Sequence, residues 1–356
     1  MPGDFLAGCF TKSIAVLIIS FVISFLLAPV LWAHSTRKGF TAIPNHRSSH
    51  DQFVPNTGGI LLFFSITIPV VLFANIRITP SFIFILIAFF SLFGVGIMDD
   101  LKNVSVKFKL LGQFIPAIFI ILSLYNQDLV IPFFQHSSSW PFFPKFIFWT
   151  IAVVAIINAY NFIDGIDGLA IGLGLLSGLL FGYYFYLSGN CNLSLLAFSF
   201  SGGLGGLLKH NISSKRKIFI GDTGSLIIGG VLSLFILRHL EINYDGNLNF
   251  SSSMIFGTVF IPIADLVRIV FVRLVNRKSP FTADRKHVHH ILMDSFSMSH
   301  RRTSAVLIAI QGLVFLIFLG FNELFQKGQI IFSLSFFLLY VLIVYRISLH
   351  RVPISS

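Results

Sequence analysis

Long apolar runs recur along the whole chain, at about 13–33, 58–74, 80–98, 110–125, 146–163, 168–187, 193–208, 223–240, 253–275, 303–321 and 329–347. A helix needs about 20 apolar residues to cross a hydrocarbon core roughly 30 Å thick. Lipid offers no hydrogen-bond partners, so a spanning segment must satisfy its own backbone groups, and a helix does so. The sequence therefore predicts an all-α polytopic membrane protein with about eleven transmembrane helices. Shorter runs borrow flanking residues to reach that length. Composition agrees: 55% of the 356 residues are hydrophobic and 11% are charged, against about 25% charged in a soluble domain.

Nothing in the sequence reads as a soluble domain, a low-complexity linker or an internal repeat, so residues 1–356 are expected to form one transmembrane domain. The run from Ser13 to Ala33 is longer than the apolar core of a cleaved leader and lacks a small-x-small cleavage site. It reads as the first span. Cys9 and Cys191 stand in neither a CxxC motif nor a Cys/His cluster, and are expected to be unpaired thiols without a metal or redox role.

The net charge of +11 would suit nucleic acid if it formed a patch, but its cations alternate with the spans. One set of loops holds Arg37, Lys38, Arg47, Lys102, Lys107, Lys109, Lys209, Lys215, Arg216 and Lys217. It continues with Arg273, Arg277, Lys278, Arg285, Lys286, Arg301, Arg302, Arg346 and Arg351. The other set has only Lys12, Arg77, Lys145, Arg238 and Lys327. Basic loops stay in the cytoplasm. The predicted N-terminus is therefore outside, the C-terminus is cytoplasmic, and no nucleic acid is involved.

Asp and Glu are scarce, only 14 in all, and they gather at predicted span ends on the basic side. Asp99-Asp100 close the third run. Asn158, Asn161, Asp164 and Asp167 step by three through the joint of the fifth and sixth runs, where Gly165 and Gly168 permit a tight turn. Asp222 opens the eighth run within Gly221-Asp222-Thr223-Gly224-Ser225. Acids at a helix end can simply face water, and Asp222 alone could be a helix cap. Four polar carriers in one apolar run are not explained by a turn. Carboxylates at such depth are costly and mark function.

Carboxylates and an amide ringed by Lys and Arg suit one task, holding Mg²⁺ while cations meet phosphate oxygens. Mg²⁺ takes oxygen donors and is commonly bound by one or two protein groups, with substrate phosphate completing the shell. No His/Cys spacing near these acids points to zinc. A nucleotide pyrophosphate is the natural substrate.

Two further segments carry polar density. Ser279–His290 places His287, His289 and His290 beside Arg285 and Lys286. It reads as a metal site, as a solvated loop or, the reading that fits best, as donors for a phosphate or nucleotide. Pro44–His50 leads to Pro55–Gly59, where a glycine pair lets backbone approach a ligand or merely opens a helix.

Together these segments resemble the polyprenyl-phosphate N-acetylhexosamine-1-phosphate transferases of glycosyltransferase family 4. That family includes the MraY translocases of peptidoglycan synthesis and the WecA-like initiators of surface polysaccharide. The likeness covers about residues 37–300 through five motifs in family order. They are PNHRSSH…PNTGG at 44–59, MDD at 98–100, NAYNFIDGIDGLA at 158–170, IGDTGS at 220–225 and SPFTADRKHVHH at 279–290. The last has the interrupted histidine pattern of the WecA-like branch rather than the three adjacent histidines of MraY.

The resemblance implies transfer of a sugar 1-phosphate, N-acetylglucosamine 1-phosphate above all, from a UDP-sugar to undecaprenyl phosphate with release of UMP. It implies Mg²⁺ as cofactor, with Mn²⁺ as a substitute, and metal ligation by Asn161 and Asp222. Asp99 and Asp100 match the catalytic acidic pair, and Lys109 the lysine that meets pyrophosphate, with Lys107 a competing choice. Asn158, Asp164, Asp167, Arg285, His287, His289 and His290 match substrate-binding positions. The expected setting is a bacterial inner membrane with the active site on the cytoplasmic face, and a homodimer is one form the chain could take there. A transporter or lipid flippase is the competing class, and it would place its acids near the bilayer midplane in paired, broken helices.

Overall fold

In the computed structural model each apolar run becomes a helix. The structure describes residues 2–38, 54–102, 104–124, 141–242, 251–279, 286–322 and 329–349. The helices are α1 (Pro2–Lys38), α2 (Gly58–Phe73), α3 (Pro80–Lys102), α4 (Val106–Leu122), α5 (Phe142–Ile163) and α6 (Leu169–Leu187). They continue with α7 (Cys191–Asn211), α8 (Gly221–Ile242), α9 (Ser251–Val275), α10 (Val288–Phe296), α11 (His300–Asn322) and α12 (Gln329–Leu349). Among the described residues, eight helices are long and apolar enough to cross a membrane, while α2 and α12 are shorter apolar helices. The chain is thus an all-helical, multi-pass membrane protein. The short α10 had no counterpart among the apolar runs; it follows the histidine motif.

Burial sorts these helices by position. Helix α8 is buried on every side from Thr223 to Leu237, as an apolar helix at the centre of a bundle must be. Helix α3 shows the opposite pattern. Its buried residues are Ala88, Leu92, Gly96 and Asp99, one stripe at helical spacing, and much of the remaining surface is exposed apolar side chain. Asp99 therefore lies on the face that α3 turns to α8. Helix α4 repeats the device, with Gln113, Pro116, Ala117 and Ile120 buried. Lys109 precedes Gln113 by four residues and shares that face.

Small residues let the functional ends meet. A Cβ on Gly96 would lie 2.3 Å from the Thr223 Cα, and one on Gly59 would lie 2.3 Å from the Gly224 nitrogen. The ends of α2, α3 and α8 are thus in backbone contact. The Gly58 N–H donates to the Phe219 carbonyl at 3.0 Å, and the Phe219 N–H to that of Pro55 at 2.9 Å. These bonds tie the PNTGG segment to the approach to α8.

At the other end α1 runs along α7, with Ser13 and Ser194 hydroxyls 3.1 Å apart and those of Ser20 and Ser199 2.7 Å apart. Such hydroxyl pairs suit helix contacts in lipid, where no water competes. Here the structure corrects the sequence reading. Cys9 and Cys191 are not unpaired thiols but form a disulfide, with Cα atoms 5.6 Å apart. They are separated by 182 residues, and only the pairing of α1 with α7 makes them neighbours.

The Gly96 contact is directly testable. Gly96→Val must push α3 away from the α8 backbone, so we expect a loss of about 1–3 kcal/mol and a lowered Tm in detergent. An unchanged melting temperature would mean that the two helices are not in backbone contact.

Candidate active site

Three of the polar motifs converge where α3 ends, α4 and α8 begin and α5 gives way to α6. The Lys109 ammonium sits 2.6 Å from Asp99 Oδ2 and also pairs with Asp222 Oδ1. The Asn161 amide donates to that same Asp222 oxygen at 2.5 Å and to the Ser225 hydroxyl at 2.8 Å. Asp99 is held from its other side by the Val104 N–H at 3.1 Å. The predicted residues Asp99, Lys109, Asn161 and Asp222 thus form one connected group. Lys107 is exposed, and of the two lysines it is Lys109 that joins the acids.

Asp100 does something different from Asp99. Its Oδ1 accepts the Asp222 N–H at 2.8 Å, while its Oδ2 accepts the Thr223 N–H at 2.9 Å and the Thr223 hydroxyl at 2.5 Å. It caps α8 from another helix, with its anion on the positive end of the helix dipole. Gly221 has a φ of 69°, and a Cβ there would lie 2.7 Å from Asp100 Oδ1. Glycine is needed both for the left-handed turn and for the room the carboxylate occupies. Asp100 fixes where the Asp222 side chain points.

The α5–α6 turn brings the remaining acids. Asp164 is half-buried and ends α5. Burial raises its carboxyl well above the ordinary range, and the charges of Asp222, Asp100 and Asp167 push the same way. Asp167 has partners, with Lys217 Nζ at 2.6 Å and His300 Nδ1 at 3.3 Å from Oδ2. Burial opposes its charge, but the bonds from His300 and Lys217 outweigh it and hold its carboxyl below the usual value. Gly168 opens α6 at φ 79°, and its N–H donates to Asn211 Oδ1 at 2.6 Å. Asn158 lies apart from this group, its amide donating to Gln113 Oε1 on α4 and to the Val154 carbonyl at 2.9 Å.

The histidines meet this turn from α10. The His287 ring lies 5.9 Å from that of Phe162 and stacks on His289 at 5.6 Å. A Cβ on Gly165 would come 2.3 Å from His289 Nε2. His289 is buried, and among the described residues neither ring nitrogen has a hydrogen-bond partner. Burial, then the neighbouring His290 and His287, hold it well below its ordinary pKa and therefore neutral. Arg285 and the Pro44–His50 motif lie outside the described residues. Lys217, His300, Asn211, Gln113 and Ser225 were not singled out as site residues in the sequence. Nor was Asp265, an acid inside the α9 apolar run whose depth alone was a signal.

Asp99, Asp100, Asp164 and Asp222 act on one another electrostatically, and Lys109 is the cation common to Asp99, Asp164 and Asp222. Their donors are hard oxygens, the kind Mg²⁺ prefers, and Asn161 adds an amide carbonyl oxygen. Among the described residues no group of three or more His, Cys, Asp or Glu has the arrangement of a metal centre. A dication here would share two protein ligands with substrate rather than sit in a protein cage. The acids lie at helix ends on one side, not at the midplane as a transporter would have them. An apolar cavity of about 550 Å³ between α2, α3, α7 and α8, rimmed by Asn75, Arg77 and Asn192, lies at the other end of these helices and does not include any of the acids.

Comparison with known proteins decides what this arrangement belongs to. The model of glycosyl transferase family 4 matches residues 82–239, from α3 to α8. A probable undecaprenyl-phosphate N-acetylglucosaminyl 1-phosphate transferase of Bacillus subtilis is 31% identical over 92% of this chain and 90% of its own length. The chain belongs to glycosyl transferase family 4. Undecaprenyl-phosphate alpha-N-acetylglucosaminyl 1-phosphate transferases of Thermotoga maritima and Escherichia coli K12 are 29% and 30% identical. They cover 85% and 76% of the chain, and 89% and 75% of their own lengths. The family match takes in the acidic motifs and Lys109 but ends before the histidines, which the longer alignment to the Bacillus protein leaves room for.

The lysines offer a sharp test of the family-4 site. Lys109→Ala should cut kcat about a hundredfold or more, as loss of a preorganised charge does, while Lys107→Ala should stay within a few-fold of wild type. Equal losses in both variants would disconnect the Lys109 bridge from turnover.

Proposed function

We propose that this chain transfers N-acetylglucosamine 1-phosphate from UDP-N-acetylglucosamine to undecaprenyl phosphate, releasing UMP, at the cytoplasmic face of a bacterial inner membrane. This would open the synthesis of a cell-surface polysaccharide or cell-wall glycan. The observation that carries the reading is the Asp99–Lys109–Asp222–Asn161 group at one end of a membrane bundle, in a chain whose relatives bear that activity in their names.

The lipid phosphate needs little activation, because a phosphate monoester with a second pKa near 6 is mostly dianionic at neutral pH. One of its oxygens attacks the β-phosphorus of the UDP-sugar. A new P–O bond forms as the bond to the bridging oxygen breaks, and UMP departs with that electron pair. Such in-line transfer demands positioning and charge neutralisation above all. Lys109 supplies a fixed positive charge, and Asp99 orients it and the incoming phosphate rather than forming a covalent intermediate. Asp164, Asp167, His287, His289 and His290 serve the donor side. Asn161 and Asp222 would hold Mg²⁺, or Mn²⁺ in its place, which when bound neutralises charge on the pyrophosphate.

Two observations support the orientation. The basic loops fall on the side of the acids. The disulfide joins the starts of α1 and α7, and by the same topology these lie on the outer face, where an oxidising environment preserves disulfides. The eight long helices, with the shorter α2, α4 and α12, then serve as spans, with the N-terminus outside.

Purified protein given undecaprenyl phosphate, Mg²⁺ and a panel of UDP-sugars should release UMP fastest with UDP-N-acetylglucosamine. Asp222→Asn should remain inserted yet lose about a hundredfold or more in turnover. Near-normal turnover in that variant would reduce Asp222 to a cap. Exchange of labelled UMP into the UDP-sugar by delipidated protein would replace direct attack with a covalent route.

A further inference from the structure

Asp265 lies on α9, 1% exposed, in a segment where an unpaired carboxylate would be very costly. Both of its oxygens are engaged. Its Oδ2 is 2.8 Å from His287 Nδ1. Its Oδ1 takes the Arg268 Nη2 at 2.7 Å and Nε at 3.3 Å, together with the Val288 N–H at 3.0 Å. Arg268 donates a further bond to the Lys286 carbonyl. A carboxylate buried this deeply and bonded at both oxygens is shielded from substrate, so whatever it does it does through its partners.

Pinning the returning chain to α9 would require only the bonds to Val288 and Lys286. The bond to His287 Nδ1 does something more. It makes Nδ1 the protonated nitrogen and leaves Nε2 as the nitrogen free to act, the way a carboxylate behind a histidine fixes tautomer and ring direction. Phe162 and His289 confine the same ring from its other sides. Phe162 adjoins Asn161, so the ring so fixed abuts the α5–α6 turn that carries the acids.

We propose that Asp265 and Arg268 are positioning residues that set His287, through its Nδ1, to present Nε2 to the pyrophosphate of the sugar donor. This rests on the transferase reading above. The pair touches no reacting atom, and its effect should vanish when His287 is gone.

A double-mutant cycle measures this, since residues acting through one another are non-additive. Asp265→Asn should lower kcat/KM by about tenfold to a hundredfold, as loss of a histidine's supporting carboxylate does. In a His287→Asn background the same change should cost less than twofold. Equal losses in the two backgrounds would overturn the proposal and leave Asp265 a structural pin. Should Asp265→Asn fail to fold, Asp265→Asn with Arg268→Gln removes both charges as near-isosteres and enters the cycle in its place. The ¹⁵N spectrum of His287 in the wild-type protein reads the proposal without turnover. A ring protonated at Nδ1 alone, or at both nitrogens, supports it; a neutral ring protonated at Nε2 alone refutes it. If no UDP-sugar releases UMP, the transferase reading falls, while the tautomer still decides whether Asp265 sets His287.

Discussion

Carboxylates gathered at the end of an apolar bundle repel one another and lose hydration together. The Lys109 ammonium, shared between Asp99 and Asp222, is what lets two of them stand within reach of a single side chain. Its position is fixed by helix periodicity, because α4 buries the face that carries Lys109 and Gln113 against α3, α5 and α8. Asp100 holds the start of α8 from α3, and the glycines at 59 and 96 allow the backbones to come close enough for both arrangements. Without any of these the acids would separate into water, and the site would be three helix ends rather than one place.

How much of this was legible in the sequence follows from the kind of information each feature needs. The helices were, since apolar runs of span length have few alternatives in lipid. The grouping of MDD, NAYNFIDGIDG and GDTGS was legible because all three fall at the same side of alternating spans. The division of labour within Asp99-Asp100 was not. Adjacent residues on a helix point about 100° apart, and which one faces α8 depends on the buried stripe through Leu92 and Gly96. The choice of Lys109 over Lys107 was closer to hand, since Lys109, Gln113 and Ala117 step by four along one face.

Two features needed the tertiary structure outright. Cys9 and Cys191 become partners only because α1 lies on α7, a packing written in serines and glycines that carry no pairing code of their own. Asp265 had a visible signal, an acid within an apolar run, yet its partner His287 lies 22 residues further on, beyond the end of α9. The α10 helix is too short to register as an apolar run, although it carries His289 and His290.

The site is built in two halves with different chemistry. Helices α3, α4, α5 and α8 bring acids around one ammonium, whereas α9 and α10 bring neutral or cationic nitrogen donors backed by the Asp265–Arg268 pair. The α5–α6 turn joins them, with Asn161 and Asp164 on the acidic side and Phe162 and Gly165 against the histidine rings. The pyrophosphate of the proposed sugar donor has the matching asymmetry, since its oxygens want cations while its leaving nucleotide and attached sugar want hydrogen-bond donors and acceptors. A segment with polar residues at 161 and 164, and an aromatic and a glycine at 162 and 165, faces both halves, because successive side chains leave it in different directions. That is the physical use of the spacing in Asn161-Phe162-Ile163-Asp164-Gly165: it puts the two kinds of contact next to each other on a segment held rigid at both ends by buried helices.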